Sequence, residues 1–233
     1  LLKKFGVETT FYDPLIGSGI SDLIRPETQL VYTESPGSQT FEIQDLPAIA
    51  QAAHERDIPV MADSTWGTPL FYNPIALGAD FVIHPGTKYF GGHSDVNLGS
   101  VTTTAQYAEQ LRLTHGDMGQ CAGAEDTQLC LRGLRSLSMR MKHHEQAALD
   151  MAAWLAARSE VERVLHPAFD SDPGHALWKR DFSGSSGLFS VVLKQGSAKA
   201  VAAMLDGLKL FGMGASWGGY ESLALPFDPS GYR

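Results

Sequence analysis

The sequence predicts an α/β protein built on a mainly parallel sheet, and three observations predict it. Between residues 29 and 104, short apolar runs alternate with helical patterns. Those runs are continuous in apolar character rather than strictly alternating, which is the pattern of strands buried on both faces and covered by helices. Small polar residues collect just after the runs end, at Ser35 and Ser38, at Asp63 to Thr65, and at Thr87-Lys88. In open α/β sheets ligands bind outside the carboxyl ends of strands, so three separate loops are expected to meet at one edge of one sheet.

The elements follow in order. QLVYTES (29–35) is the first strand and ends in the turn Pro36-Gly37. Asp45 can cap a helix over about 46–56, because a carboxylate placed before the first turn accepts from its free N–H groups. IPVMADS (58–64), DFVIHP (80–85) and LGSVTTT (98–104) are the next three strands. Leu134, Leu137, Met141, His144, Ala148, Met151 and Leu155 recur at steps of three and four, one face of a long helix within 124–158. A Met/Leu stripe at that spacing reads as core. Gly133 near its start is expected to be a bend or a close-packing point. VERVLHP, GLFSVVL and the helix-like SAKAVAAMLDGL suggest strands and a helix of a smaller second unit. The expected organisation is part of a large domain over 1–135, then the long connecting helix and part of a small C-terminal domain over 136–233.

Composition narrows the class. The 233 residues are enough for one large domain or one and a half, and 43% hydrophobic with 19% charged residues is ordinary for a globular chain. A formal net charge of -8 argues against nucleic acid or an anionic membrane as a partner. No apolar run approaches the roughly 20 residues a membrane helix needs, and the opening residues do not read as a signal peptide. Cys121 and Cys130 stand outside any CxxC or Cys/His spacing, so they are expected to be reduced thiols packed as small hydrophobes in a cytoplasmic setting. The chain opens at LLKKFGVETTFYDP without a Met and stops at LPFDPSGYR, which leads to the expectation of a fragment or of ends lying outside this stretch.

The chemistry concentrates in two places. Asp63 follows the strand PVMA, and Lys88 stands in HPGTKYFGGHSDVNLGS, a stretch of small and polar residues. Alone, the aspartate reads as a turn cap and the lysine as a surface residue; the joint arrangement is more specific. A lysine amine attacks a carbonyl only when unprotonated, so a catalytic lysine is usually partly desolvated. Gly86, Gly91 and Gly92 leave room for a planar ligand, and Thr87 can donate to phosphate oxygens. A carboxylate facing a heteroaromatic nitrogen keeps that nitrogen protonated, which together with a lysine is what pyridoxal phosphate requires. His84, His93 and the pair His143-His144 lack carboxylate or cysteine partners at ligand spacing and are expected to be structural or surface residues. GSSG (184–187) lacks the Lys-Ser/Thr of a phosphate loop and reads as a turn leading into LFSVVL.

MADSTWGTPLFYNP, GTKYFGGHSDVNLG, GLRSLSMRMKHH, HPAF, KRDFSGSSGLFS and LFGMGASWGGYESL together resemble the Cys/Met-metabolism family of pyridoxal-phosphate enzymes, over essentially the whole chain and in order. ESPGS and SWGGYESL most resemble the family's bacterial cystathionine β-lyases. The resemblance implies a fold-type-I architecture. It implies that Lys88 matches the Schiff-base lysine, Asp63 the residue facing the pyridine nitrogen, and Thr87 a phosphate ligand. Ser216 and Trp217 match the substrate edge, where the family also binds the substrate carboxylate. The implied reaction is β-elimination of cystathionine to homocysteine, pyruvate and ammonia, in methionine biosynthesis, by a homodimer or homotetramer. Two departures stand out. Pro85 replaces the serine many relatives use as a phosphate ligand. Ser38 falls where several γ-acting relatives carry an asparagine that touches the cofactor's phenolic oxygen. Further family parts are expected outside residues 1–233: a neighbour's Tyr/Arg pair, a ring-stacking Tyr, a glycine-rich loop and a carboxylate-binding Arg. Arg233 is not assigned that last role. A γ-acting relative and a non-catalytic homologue of the same fold remain alternatives.

Overall fold

A computed structural model describes residues 2–194 and 196–231; Arg233 lies outside them. Among the described residues, β1 (Val31–Glu34), β2 (Val60–Asp63), β3 (Phe81–Pro85) and β4 (Gly99–Thr103) form one sheet in that order. The pairs β1–β2 and β2–β3 are parallel. The sheet is thus mainly parallel, as expected, with β4 the exception: it runs antiparallel to β3, with Phe81 opposite Thr103 and Pro85 opposite Gly99. The physical reason lies in residues 86–98, which hold a single π-type turn at Gly86–Phe90 and no helix that would carry the chain back along the sheet.

Between β1 and β2 runs α1 (Leu46–His54), whose cap is Asp45: the carboxylate accepts from the Ala48 amide at 3.4 Å. α2 (Thr68–Phe71) follows β2. Ile49, Ala50, Ala52 and Ala53 of α1 pack with Val60, Ala62, Val82, Trp66 and Tyr72 into the main core. Tyr72 stacks on Phe182 at 4.0 Å, and the Trp66 indole donates to the Leu188 carbonyl at 2.9 Å. These contacts pin the segment after β2 to the later part of the chain.

After β4 come α3 (Ala105–Asp117), α4 (Ala124–Leu134) and α5 (Leu137–Ala156). The expected long helix is therefore two helices, broken at Arg135-Ser136. At Gly133 a Cβ would stand 2.1 Å from the Phe90 carbonyl oxygen, so α4 touches the lysine-bearing turn backbone to backbone. The stripe is corrected in detail. Leu137, Met141, Ala148 and Ala152 are buried, whereas Leu134 and Met151 are exposed, because the break shifts the phase of the inward face. Tyr89, Leu137 and Met141 form a second small core, against which Phe71, Phe90 and Trp217 pack.

β5 (Val161–Leu165), α6 (His175–Asp181), β6 (Ser190–Leu193) and α7 (Ala198–Asp206) follow. β5 and β6 pair antiparallel, and Ser197 caps α7 by accepting from the Ala200 amide at 3.2 Å. β7 (Gly212–Met213) and β8 (Leu223–Ala224) form a short parallel pair whose connecting loop reaches back to Lys88. GSSG does lead into β6, yet Ser185 and Ser186 are fully buried rather than turn-like and open. Cys130 is buried beside Gly86, as a small hydrophobe would be; Cys121 is exposed, against expectation, because it sits in the irregular segment between α3 and α4. No helix among the described residues is long and apolar enough to cross a membrane.

Candidate active site

The parallel register places Glu34 and Asp63, the last residues of β1 and β2, side by side, with Ile83 of β3 beside Asp63. Because side chains alternate along a strand, Asp63 and Glu34 share a face with Tyr32 and Met61. One Asp63 carboxylate oxygen accepts from the Thr65 amide at 2.8 Å and from the Thr65 hydroxyl. So the bland role of Asp63, fixing a turn, uses Oδ1, and that turn aims the carboxylate. Glu34 accepts from the Ser38 hydroxyl. Burial, and secondarily the Asp63 charge, hold the Glu34 carboxyl above its ordinary value. Tyr32 is pushed up by burial and by the same two carboxylates. Buried His84 stacks on Phe90 at 5.0 Å; burial keeps it neutral, and its Nε2 has no partner among the described residues.

Lys88 sits within the π-type turn but leaves its helical path, at φ −84° and ψ −120°. Its Nζ donates to the Ser216 hydroxyl at 2.6 Å and stands 5.1 Å from the centroid of the Trp217 ring. Lys88 makes no ion pair among the described residues, and burial depresses its pKa. Gly218, at φ +87°, closes this approach: a Cβ there would stand 3.0 Å from the Lys88 backbone. The loop carrying Ser216 and Trp217 thus rests directly on the lysine. A second tie is Ser94, whose hydroxyl donates to Glu221 at 2.7 Å.

Three of the five residues singled out from sequence, Lys88, Ser216 and Trp217, are in mutual contact. Asp63 stands on the neighbouring strand end. Thr87 is adjacent to Lys88, but its hydroxyl contacts Asn97 and the Leu98 amide, each at 3.4 Å. Sequence reasoning missed Glu34, Tyr89 and Arg140. Only the register could have placed Glu34 beside Asp63. Tyr89 is buried, and its hydroxyl accepts from the Gly187 amide at 3.3 Å; Arg140 donates to the Tyr89 carbonyl at 2.8 Å.

The donor set fits pyridoxal phosphate at two of its ends. It offers an amine free of ion pairs and partly desolvated, and a carboxylate at a strand end with one oxygen outside the Thr65 turn. Its phosphate side is thin, since Pro85 has no N–H and Thr87 brings one hydroxyl.

Comparison with known proteins identifies the family. Residues 1–227 match the family model described as "Cys/Met metabolism PLP-dependent enzyme". The chain is 44% identical to the cystathionine beta-lyase of Salmonella typhimurium, covering 98% of this chain and 59% of that protein. It is 36% identical to the cystathionine gamma-lyase of Bacillus subtilis, covering 96% and 59%. A crystal structure of cystathionine gamma synthase from Xanthomonas oryzae superposes with a TM-score of 0.86 at 34% identity, covering 91% and 55%. The chain spans less than two thirds of the length of each of these relatives. A family model over nearly all its residues and a shared α/β fold place this chain in the Cys/Met metabolism family of pyridoxal-phosphate-dependent enzymes.

Proposed function

We propose that this protein is a carbon–sulfur lyase of the cystathionine β-lyase type, cleaving cystathionine with water to homocysteine, pyruvate and ammonia. The observation that carries the reading is the Lys88 amine, held by Ser216 against Trp217 without a counter-ion. Burial disfavours the charged form of this amine, so it gives up its proton more readily than an exposed lysine and is better suited to act as a base. Lys88 is the general base that takes the proton from the substrate Cα and returns a proton to the leaving thiolate. Ser216 accepts from the amine and so fixes where it points. Trp217 walls the substrate side and excludes water. Asp63 would hold the cofactor's ring nitrogen in its protonated form, and Thr87 would stand at its phosphate. When bound, pyridoxal phosphate supplies a ring that takes up the electron pair released at Cα.

Residues 1–135 then belong to the cofactor-binding domain, and 136–233 to the connecting helices and small domain. The working form is a symmetric dimer or tetramer in the cytoplasm. Support for the β subtype comes from Trp217 over the lysine and from Ser38, which is engaged by Glu34. The gamma-acting relatives favour a second reading, in which the protein moves a proton to Cβ as well as Cα and acts as a γ-lyase or γ-synthase. Keto-acid analysis after incubation with cystathionine separates the two. Pyruvate is expected; 2-oxobutyrate as the main product assigns the γ class, and no keto acid at all favours a non-catalytic homologue.

A further inference from the structure

Arg140, in the first turn of α5, points away from solvent toward the turn that carries Lys88. Its Nη2 donates to two backbone carbonyls, that of Tyr89 at 2.8 Å and that of Gly133 at 2.9 Å. Its Nε donates to the Ser136 hydroxyl at 3.1 Å, which fixes the plane of the guanidinium. Nη1 is buried and lies against Gly92: a Cβ at 92, where φ is +72°, would stand 2.3 Å from it. The side chain makes no ion pair among the described residues: Nη2 serves the backbone, Nε the Ser136 hydroxyl, and Nη1 has no hydrogen-bond partner there.

We propose that Arg140 is a positioning residue for Lys88, tying the carbonyl of the residue after the lysine to the end of α4 and so fixing where the amine stands. The proposal rests on Lys88 being the reacting amine. The turn has other anchors, among them the Thr87 amide donating to the Leu98 carbonyl at 3.2 Å and the Gly187 amide donating to the Tyr89 hydroxyl at 3.3 Å, but Arg140 is the side chain that holds the backbone carbonyl next to the lysine. Gly91 donates to Gly86 and Gly92 to Lys88, each at 2.8 Å, but both bonds lie inside the turn and move with it. The Arg140 bridge holds the backbone just after Lys88, and Gly218 packs against the backbone of Lys88 itself. Arginine suits this task because Nε, held by Ser136, fixes the guanidinium plane and so aims Nη2 at both carbonyls, an orientation a freely rotating lysine ammonium lacks. Tyr89 and His144 are the titratable groups that sense the Arg140 charge; burial alone depresses Lys88.

The test uses the full chain purified as wild type, Arg140→Met and Arg140→Lys. Lysines are acetylated competitively across a pH series without added cofactor, and the exposed Lys3 and Lys179 serve as references. In the wild type, Lys88 reaches half-labelling at a lower pH than the references. Arg140→Met should move that point up toward them, and Arg140→Lys, which keeps the charge but not the fork, should fall between. With pyridoxal phosphate added, kcat should fall on the order of 10²-fold in Arg140→Met while KM changes little. An unmoved half-labelling point in folded Arg140→Met overturns the proposal. So does full rescue by Arg140→Lys, because charge rather than the tie would then be responsible. If Arg140→Met does not fold, Arg140→Lys decides alone: a raised point supports the tie and an unmoved one refutes it. Labelling reads Lys88 directly, so the outcome stands even if the wild type yields no keto acid.

Discussion

The four-stranded sheet has two faces that the same strands build to opposite ends. On one, Val31, Thr33, Val60, Ala62, Val82 and His84 are buried. On the other, Glu34, Met61, Asp63, Phe81 and Ile83 are half-buried and Tyr32 is 45% exposed. Residues one apart in sequence therefore serve different purposes: Ala62 fills the core under the sheet, and Asp63 holds a charge above its edge. The difference teaches that strand alternation sorts stability from chemistry residue by residue. Variants on the two faces should separate the two properties.

The largest effect is expected on the chemical face. Asp63→Asn keeps the shape and the Thr65 turn but removes the charge. Turnover should fall on the order of 10²-fold or more, about 3 kcal/mol of barrier, with the melting temperature nearly unchanged. Steady-state kinetics beside a thermal melt checks this. Near-native turnover would remove Asp63 from the site.

The core beside the sheet should answer to acid. His166 is fully buried beside Trp66, its Nε2 lacks a partner among the described residues, and burial lowers its pKa from 6.5 to about 4. A base whose folded pKa lies below its unfolded value binds fewer protons when folded, so stability is full above pH 6.5 and declines as pH falls toward 4. The loss should reach up to roughly 3 kcal/mol. Urea melts across that range should show it, and His166→Leu should flatten the slope. The smallest effect belongs to Ile49→Val in α1, which removes one methylene from the core. It should lower stability by about 1 kcal/mol and leave turnover per folded molecule unaltered.

These contrasts also show what a sequence reveals. The four strands, the Asp45 cap and the lysine loop were legible because each rests on a local signal: an apolar run, a capping side chain, glycines around one cation. The direction of β4 was not, since it depends on the path of residues 86–98 rather than on the strand. The break at Arg135-Ser136 hid inside a periodic stripe, because apolar spacing continues across it. Arg140 and Tyr89 carried no local sign at all. Their partners lie 51 and 98 residues away, at distances only the folded chain brings together. The Glu34–Asp63 neighbourhood required the register of two strands. The motifs around Lys88, Ser216 and Trp217 did point to one place, and the structure brings those three side chains together.

The central claim is that Lys88 is the amine that engages the cofactor. Borohydride reduction of the pyridoxal-phosphate-loaded protein, followed by peptide mapping, tests it most directly. The account predicts a pyridoxyl group on Lys88, in the peptide containing GTKYFGG; the same group on Lys3, Lys4 or Lys179 instead would contradict it.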